Sequence, residues 1–251
     1  MRDVADAMKK GIIQLTDPVS ILMPVHNEAA VIQKVIEEWI REVFCYLHAG
    51  SEFLVEESGS TDGTKEILET LGKKYSFIKV NFGEKKDGFA AAARRLYQRA
   101  SCPLIFFTDS DGQYVASDFW KLAKYIGKYD VVHGSKVGRK DPLARRIFSS
   151  IFNKMVGFLF EIRYIDINSA FRLAKADVIR EMISKCTCMP TLLNAELLLR
   201  CEIENYEIKQ VYVLHRRREH AGSRGLPPTR YLLEAFRAFR GLLAIKASYR
   251  V

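Results

Sequence analysis

Short apolar runs alternate with helix-periodic stretches through the first 134 residues, and this alternation limits the chain to few architectures. Residues 19–25 (VSILMPV) form an apolar run closing on Pro24-Val25, followed by the polar His26-Asn27-Glu28. Val31, Ile32, Val35, Ile36, Trp39, Ile40 and Val43 then recur with helical spacing. A second strand is expected over 52–55, a helix over 62–74, a third strand over 77–81 and an alanine-rich helix over 89–100. Strand four (103–108), a helix (117–128) and a strand (130–134) follow. Strands separated by helices pair in parallel, because a parallel connection must cross over the sheet. The expectation is an α/β fold with a mostly parallel, helix-covered sheet.

The strongest chemical signal sits at the end of strand four. Residues 106–114 read FFTDSDGQY, an aromatic run that stops at Asp109 and Asp111, followed by Gln113. In an open α/β sheet, the carboxyl ends of the strands are where ligands bind. Two carboxylates and an amide oxygen are hard ligands, suited to Mg²⁺ or Mn²⁺ that also touches a diphosphate. Asp-x-Asp also arises by chance in turns, so its weight comes from its neighbours. One of these is Gly59-Ser60-Thr61-Asp62-Gly63-Thr64, which offers backbone N–H groups and hydroxyls beside a helix start. The same residues also suit a plain capped helix entrance, with Ser60 or Asp62 as cap. No Gly-Lys-Ser/Thr ending makes it a P-loop, and no G-x-G-x-x-G follows strand one.

The second half is less regular. Helices are expected over 143–162, 175–184, 190–202 and 229–247, a turn or short strand over 166–172, and a strand over 206–215. A basic loop runs through Pro227-Pro228. The organisation expected is an N-terminal extension (1–18), one domain (19–228) and a basic amphipathic C-terminal helix (229–251).

Charge is concentrated at the end of the chain. The formal net charge is +9, and residues 216–251 hold nine Arg or Lys against two Glu. Such a block suits an acidic membrane surface, phosphorylated ligands or nucleic acid, or is simply a solvated basic face. No nucleic-acid motif accompanies it, and no aromatics interleave with the cations as stacking platforms, so a nucleic-acid partner is not expected. The five cysteines are scattered, with Cys186-x-Cys188 but no C-x-x-C, as in a reducing compartment. MRDVADAMKKGIIQL lacks the apolar core of a signal peptide, and no run reaches the roughly 18 apolar residues of a membrane span. The expected location is cytoplasmic.

Taken in order, PVHNE, the Gly-Ser-Thr-Asp-Gly-Thr turn and Asp-Ser-Asp-Gly-Gln resemble the family 2 inverting glycosyltransferases, which have the GT-A fold. The second half resembles the dolichyl- or polyprenyl-phosphate mannosyl- and glucosyltransferase branch. It has Arg145, Ser149 and Asn153 at i, i+4 and i+8, then Asp166-Ile-Asn-Ser-Ala-Phe-Arg172, Glu196, and Arg218 before Gly222-Ser223. The resemblance covers residues 19–224.

The resemblance implies roles. Pro24, Val25, Asn27 and Glu28 would hold the nucleotide of a GDP- or UDP-linked hexose, with Glu57 at base or ribose. Asp109 would bind ribose or the metal side, while Asp111 and Gln113 hold Mg²⁺ or Mn²⁺ on the diphosphate. Lys136, Arg145 and Ser149 would bind the acceptor phosphate, and Arg218 the phosphates as the site closes, making Asp111, Arg145 and Arg218 the catalytic set. Asp166 and Arg172 are either a supporting pair or catalytic. A lipid phosphate is already largely ionised and needs positioning cations more than a base. A hydroxyl acceptor would instead call for a carboxylate base, such as Glu196 or Asp166. The chain departs from the pattern at Glu57-Ser58, where paired aspartates are usual, at Lys136 for an Arg, and at Ala170 for a Gly.

Two amphipathic stretches bear on location. Ile147, Phe148, Ile151, Phe152, Met155 and Leu159 form one apolar stripe; Leu232, Phe236, Phe239 and Leu243 form another, with Arg230, Arg237 and Arg240 on a separate face. Each is either core or a surface docking on anionic lipid. With no membrane helix of the kind common among polyprenyl-phosphate enzymes, the chain is expected to dock peripherally on the cytoplasmic face of a membrane, or through a membrane-anchoring partner. Transfer to a carbohydrate or glycolipid hydroxyl, and a non-catalytic subunit binding nucleotide or lipid, are the competing functions. Among the histidines, His133 and His215 are weak signals, and His220 either reaches a phosphate or is a solvated loop residue.

Overall fold

The computed structural model describes residues 12–138, 143–218 and 231–249, without the side chains of 143–145 and 231–232. Seven strands form one sheet: β1 (Val19–Val25), β2 (Glu52–Ser58), β3 (Ile78–Gly83), β4 (Leu104–Phe107), β5 (Val131–Val137), β6 (Arg172–Lys175) and β7 (Ile208–Leu214). Their order is β3-β2-β1-β4-β6-β5-β7. All pairings are parallel except those of β6, which runs antiparallel between β4 and β5. The chain leaves β1 toward β2 and β3 on one side, then returns to β4 on the other. That reversal between β1 and β4 is a topological switch point, where a crevice opens at the strands' carboxyl ends.

The helices are α1 (Ile32–Glu42), α2 (Thr64–Lys74), α3 (Phe89–Arg99), α4 (Phe119–Ala123), α5 (Leu143–Phe160), α6 (Ala176–Lys185), α7 (Leu193–Ile203) and α8 (Tyr231–Ser248). α1 buries Ile32, Val35, Ile36, Trp39 and Ile40, as its periodicity predicts. Trp39 meets Phe106 and Phe171 at ring-centroid distances of 5.1 and 5.9 Å, so one aromatic cluster ties α1 to β4 and to the residue before β6. α8 packs on α5 and buries Ala238, Leu242 and Ile245.

Several boundaries differ from those expected, the short strand at 166–172 falling at Arg172–Lys175 among them, and three show why. β2 continues past residue 55 through Glu56, Glu57 and Ser58, all buried. Acids survive inside the sheet because each finds donors. Glu52 accepts from Ser20 Oγ (2.7 Å), Lys79 Nζ (2.8 Å) and Ser101 N (2.8 Å). Glu56 pairs with Arg95, Arg99 and Asn81, all from neighbouring elements. β5 runs to Val137 rather than 134 because β7 pairs with its whole length, which carries Lys136 into the sheet. The expected helix 117–128 is α for only five residues; beyond it, Tyr125 N and Lys128 N bond i−3 carbonyls, as in tight turns.

Candidate active site

The first two βα turns interlock. Asn27 takes a left-handed conformation (φ 54°), which Asn tolerates better than most residues. Its Oδ1 accepts from Thr61 N (2.7 Å), and its own N–H donates to Ser60 Oγ (2.8 Å). Glu28 N donates to Thr64 Oγ1 (2.8 Å), and Ala29 N to Asp62 Oδ2 (3.2 Å). Glu57 Oε1 accepts from Ser60 N at 2.6 Å. Gly63 occupies the cap position of α2. Ser60 Oγ and Asp62 Oδ2 serve the facing turn, while Asp62 Oδ1 accepts from Thr64 N (3.2 Å) and Thr64 Oγ1 (2.6 Å) at the helix entrance. Gly59 (φ 61°) lies so close to the next loop that a Cβ would sit 2.7 Å from Lys85 Cα, which brings the 85–89 loop over the same crevice.

The result is a cleft of about 350 Å³ lined by Pro24, Val25, His26, Glu28, Ser58, Lys86, Phe89, Asp109, Asp111 and Arg218, among others. Six of these are expected from the sequence. His26, Ser58, Lys86 and Phe89 are not, although Lys86 lies in a conspicuous Lys85-Lys86-Asp87-Gly88 turn. His26 Nδ1 donates to Ser58 O at 2.8 Å, bridging the ends of β1 and β2. Phe89 is exposed at the mouth and stands edge-on to Phe107 at 5.9 Å. Asn27 and Glu57, expected at the nucleotide, do not line the cleft; their side chains hold the turns that do.

Asp109 and Asp111 lie just beyond β4, half-buried and facing this space. Gln113, expected beside them on the metal, is buried outside the lining. Its Nε2 donates to Arg216 O (3.1 Å), its N–H donates to Asp111 Oδ1 (3.1 Å), and its carbonyl accepts from Arg216 N (2.7 Å). Arg216 in turn forks onto Glu38 at 2.9 and 3.0 Å, and Tyr114 bridges His215. The segment after β7 is therefore laced along the Asp-x-Asp turn, and this delivers Arg218 to an ion pair with Glu28 across the cleft. Among the described residues no three His, Cys, Asp or Glu side chains converge as a metal site. The donor set still fits Mg²⁺ or Mn²⁺ in the manner such ions favour, with one or two carboxylates and the remaining oxygens from phosphate and water.

The residues expected at the acceptor are more scattered. Lys136 is buried, 3.5 Å from Asp166 Oδ2 and 5.6 Å from the Tyr114 ring centre. Burial pushes the Tyr114 phenol up to about 12, with Lys136 opposing and Asp109 and Asp166 adding to the rise. Arg172 does not pair with Asp166 as a supporting couple; its Nη2 donates to Asn194 O at 2.8 Å, while Asp166 faces Lys136. His133 lies between them, its ring bonded to Asp166 O at 2.7 Å, and burial, then Arg172, hold it down at about 3. Ser149 faces a different pocket on α5, and Asn153 is spent on the backbone, donating to Ile165 O (2.6 Å) and accepting from Ile167 N (3.4 Å). The side chain of Arg145, together with His220 and Gly222-Ser223, lies outside the described residues.

Glu196, a candidate base for a hydroxyl acceptor, is fully buried. It accepts from Thr187 N (2.9 Å), Cys188 N (3.0 Å) and Met189 N (2.6 Å), and pairs with Arg200 at 2.9 Å. It anchors a loop and lines no cleft described above. In that loop the Cys186 thiol donates to Met182 O, and burial pushes it up to about 12, so it packs.

A mostly parallel seven-stranded sheet flanked by helices, with two acids at its switch point facing a polar cleft, matches the GT-A class of fold. The chain belongs to glycosyl transferase family 2, whose sequence pattern matches residues 20–187. It is 31% identical over 161 residues to glycosyltransferase AglJ of Haloferax volcanii, covering 62% of this chain and 50% of AglJ. It is 24% identical over 216 residues to a dolichyl-phosphate hexose transferase of the same organism, covering 84% of this chain and 88% of that protein. The chain spans only about half or less of AglJ (50%), AglE (30%) and CsbB (52%). Among solved structures it superposes on the mannosyltransferase of Pyrobaculum calidifontis in complex with GDP-Man and Mn²⁺ (TM-score 0.60, 15% identity, 96% of this chain and 77% of that one). It also superposes on glucosyl-3-phosphoglycerate synthase of Mycobacterium tuberculosis (TM-score 0.68, 17% identity, 94% and 82%).

Proposed function

We propose that the protein is a metal-dependent inverting glycosyltransferase that moves a hexose from a GDP- or UDP-linked donor to a polyprenyl phosphate at a membrane surface. The observation that carries this reading is the pair Asp109 and Asp111 facing a cleft that Arg218 closes. A bound Mg²⁺ or Mn²⁺ would supply Lewis-acid charge on the diphosphate, held by these two carboxylates. Pro24, Val25 and Glu28 form the wall against which the nucleotide lies, and Arg218 exchanges Glu28 for donor phosphate as the site fills. A phosphate oxygen of the acceptor bonds to the anomeric carbon, while the bond from that carbon to the diphosphate oxygen breaks and the electron pair leaves with the nucleoside diphosphate. The acceptor's second ionisation lies near pH 6, so no base is needed. That agrees with Glu196 and Asp166 both being engaged elsewhere.

The membrane setting rests on the two helices that pack together. Ile147, Ile151 and Phe158 of α5, and Leu233, Phe236, Phe239 and Leu243 of α8, are exposed. Among the described residues no helix is long and apolar enough to cross a bilayer. Lys136 and Arg145 remain the proposed acceptor-phosphate groups, with Lys136 released from Asp166 when phosphate binds, while Ser149 lines the separate pocket on α5. Transfer assays with GDP- and UDP-hexoses and a polyprenyl phosphate test the proposal. Product formation should require Mn²⁺ or Mg²⁺ and fall ~10²–10³-fold in Arg218→Ala, the scale for removing one charge-stabilising donor. Transfer only to saccharide hydroxyls, or metal-independent nucleotide binding without transfer, would overturn it.

A further inference from the structure

A second pocket, of about 430 Å³, lies between α5 and the turn that follows it, and it shares no lining residue with the donor cleft. Its wall is built rather than incidental. Gly157 lets the turn fold back so closely that a Cβ there would lie 3.0 Å from Ile162 O. Asn153 bonds Ile165 and Ile167, Gln210 Nε2 donates to Arg163 O (2.7 Å), and Tyr164 OH is bonded to Glu202. Around this wall stand three exposed cations, Arg146, Lys154 and Arg163. None forms an ion pair with a described acid, and Glu161 of the same turn does not line the pocket.

The helix explains what the pocket adjoins. At 100° per residue, α5 divides into three faces. Phe152 and Val156 enter the core; Arg146, Ser149, Asn153 and Gly157 face the pocket; and Ile147, Ile151 and Phe158 (87% exposed) form a third, bare apolar stripe. Lys154 sits at the seam between cationic pocket and apolar stripe. A concave anion site directly beside an exposed hydrophobic strip matches the boundary between headgroups and acyl chains.

We infer that this pocket binds the phosphodiester headgroup of an anionic membrane phospholipid while Ile147, Ile151 and Phe158 enter the acyl boundary, so that the enzyme is seated on the bilayer at a fixed orientation. The inference extends the membrane-surface part of the proposed function and is independent of which sugar is moved. The test is binding of the full chain to phosphatidylcholine vesicles with and without phosphatidylglycerol, with Phe158→Trp fluorescence as the insertion reporter.

Each cation at an anionic surface contributes about fivefold in affinity, so the triple variant Arg146→Ala, Lys154→Ala, Arg163→Ala should bind phosphatidylglycerol vesicles about 100-fold more weakly. The triple variant Lys65→Ala, Lys73→Ala, Lys128→Ala, with the same charge change at exposed lysines elsewhere, should bind as the parent does. Mn²⁺-dependent nucleoside diphosphate binding, followed by thermal shift, should be equal in all three, which separates this test from failure of the donor-site reading. Equal loss in both triple variants, or loss in neither, overturns the inference. So does inorganic phosphate binding that depends on the pocket without any vesicle effect, because the pocket is then a site for soluble anions. Self-association abolished by Phe158→Asp, with no vesicle-induced blue shift of the indole emission in the Phe158→Trp reporter, would assign the face to a second copy instead.

Discussion

Glu196→Gln separates a structural acid from a catalytic one. In the folded protein the carboxylate accepts from three consecutive backbone N–H groups and from the Arg200 guanidinium, with none of its side chain open to solvent. The amide keeps one acceptor oxygen but turns an NH₂ toward the other donors and leaves Arg200 buried without its counter-charge. Breaking a buried pair from one side costs about 3–5 kcal/mol. For a chain of this length each kcal/mol lowers Tm by about 2–4 °C, so a fall of about 6–20 °C is expected. Because Glu196 lines no reaction cleft, kcat per folded molecule, assayed well below the new Tm, should change by less than about twofold. A general base behaves oppositely, losing about 10²–10⁴ in rate with little change in Tm. A large kcat loss at unchanged Tm would refute both the anchoring role and the preference for an already ionised acceptor.

Two further outcomes follow from the same contacts. Burial pushes the Glu52 carboxyl up, but Lys79, Ser101 and Ser20 outweigh it and hold it at about 2, below its ordinary 4.5. A depressed folded value means stability that is complete above the unfolded pKa and lost as pH falls from 4.5 toward 2, worth about 3 kcal/mol. Urea unfolding of Glu52→Gln across pH 2.5–7 should show a lower midpoint at neutrality and a flatter acid limb; an unchanged limb would refute the assignment. Gln113→Ala should weaken donor binding, because the Arg216 segment loses its tie, yet leave Mn²⁺ affinity at the Asp109–Asp111 pair within about threefold. Isothermal titration with Mn²⁺ alone and then with nucleotide checks this; selective loss of Mn²⁺ affinity would restore Gln113 as a metal ligand.

These contacts share a pattern. Polar residues around the cleft mostly bond other loops, and only a few of them face the space they enclose. Asn27, Glu57 and Gln113 each hold a neighbouring segment in place, so that Pro24, Asp109 and Arg218, which come from three distant parts of the chain, meet at one cleft. The same division appears at the α5 pocket, where Asn153 secures the wall while cations line the opening.

Periodicity and turn chemistry alone determined the alternating first half, the α1 core face and the placement of Asp109 and Asp111 at a strand's carboxyl end, because these depend on residues close in sequence. They also carried the resemblance to glycosyltransferase family 2, which the match over residues 20–187 bears out at the level of the family. Local pattern misjudged the end of β2, since Glu56 and Glu57 look solvent-seeking until Arg95 and Arg99 arrive from another element to pair with the first and Ser60 N from the following turn bonds the second. For the same reason only the tertiary structure decided that Glu196 anchors a loop, that Asp166 faces Lys136 rather than Arg172, and that Arg146, Lys154 and Arg163 surround one pocket. A side chain's chemical type is written in the chain, but whether its charge is spent on the fold or kept for a ligand depends on partners that sequence distance conceals.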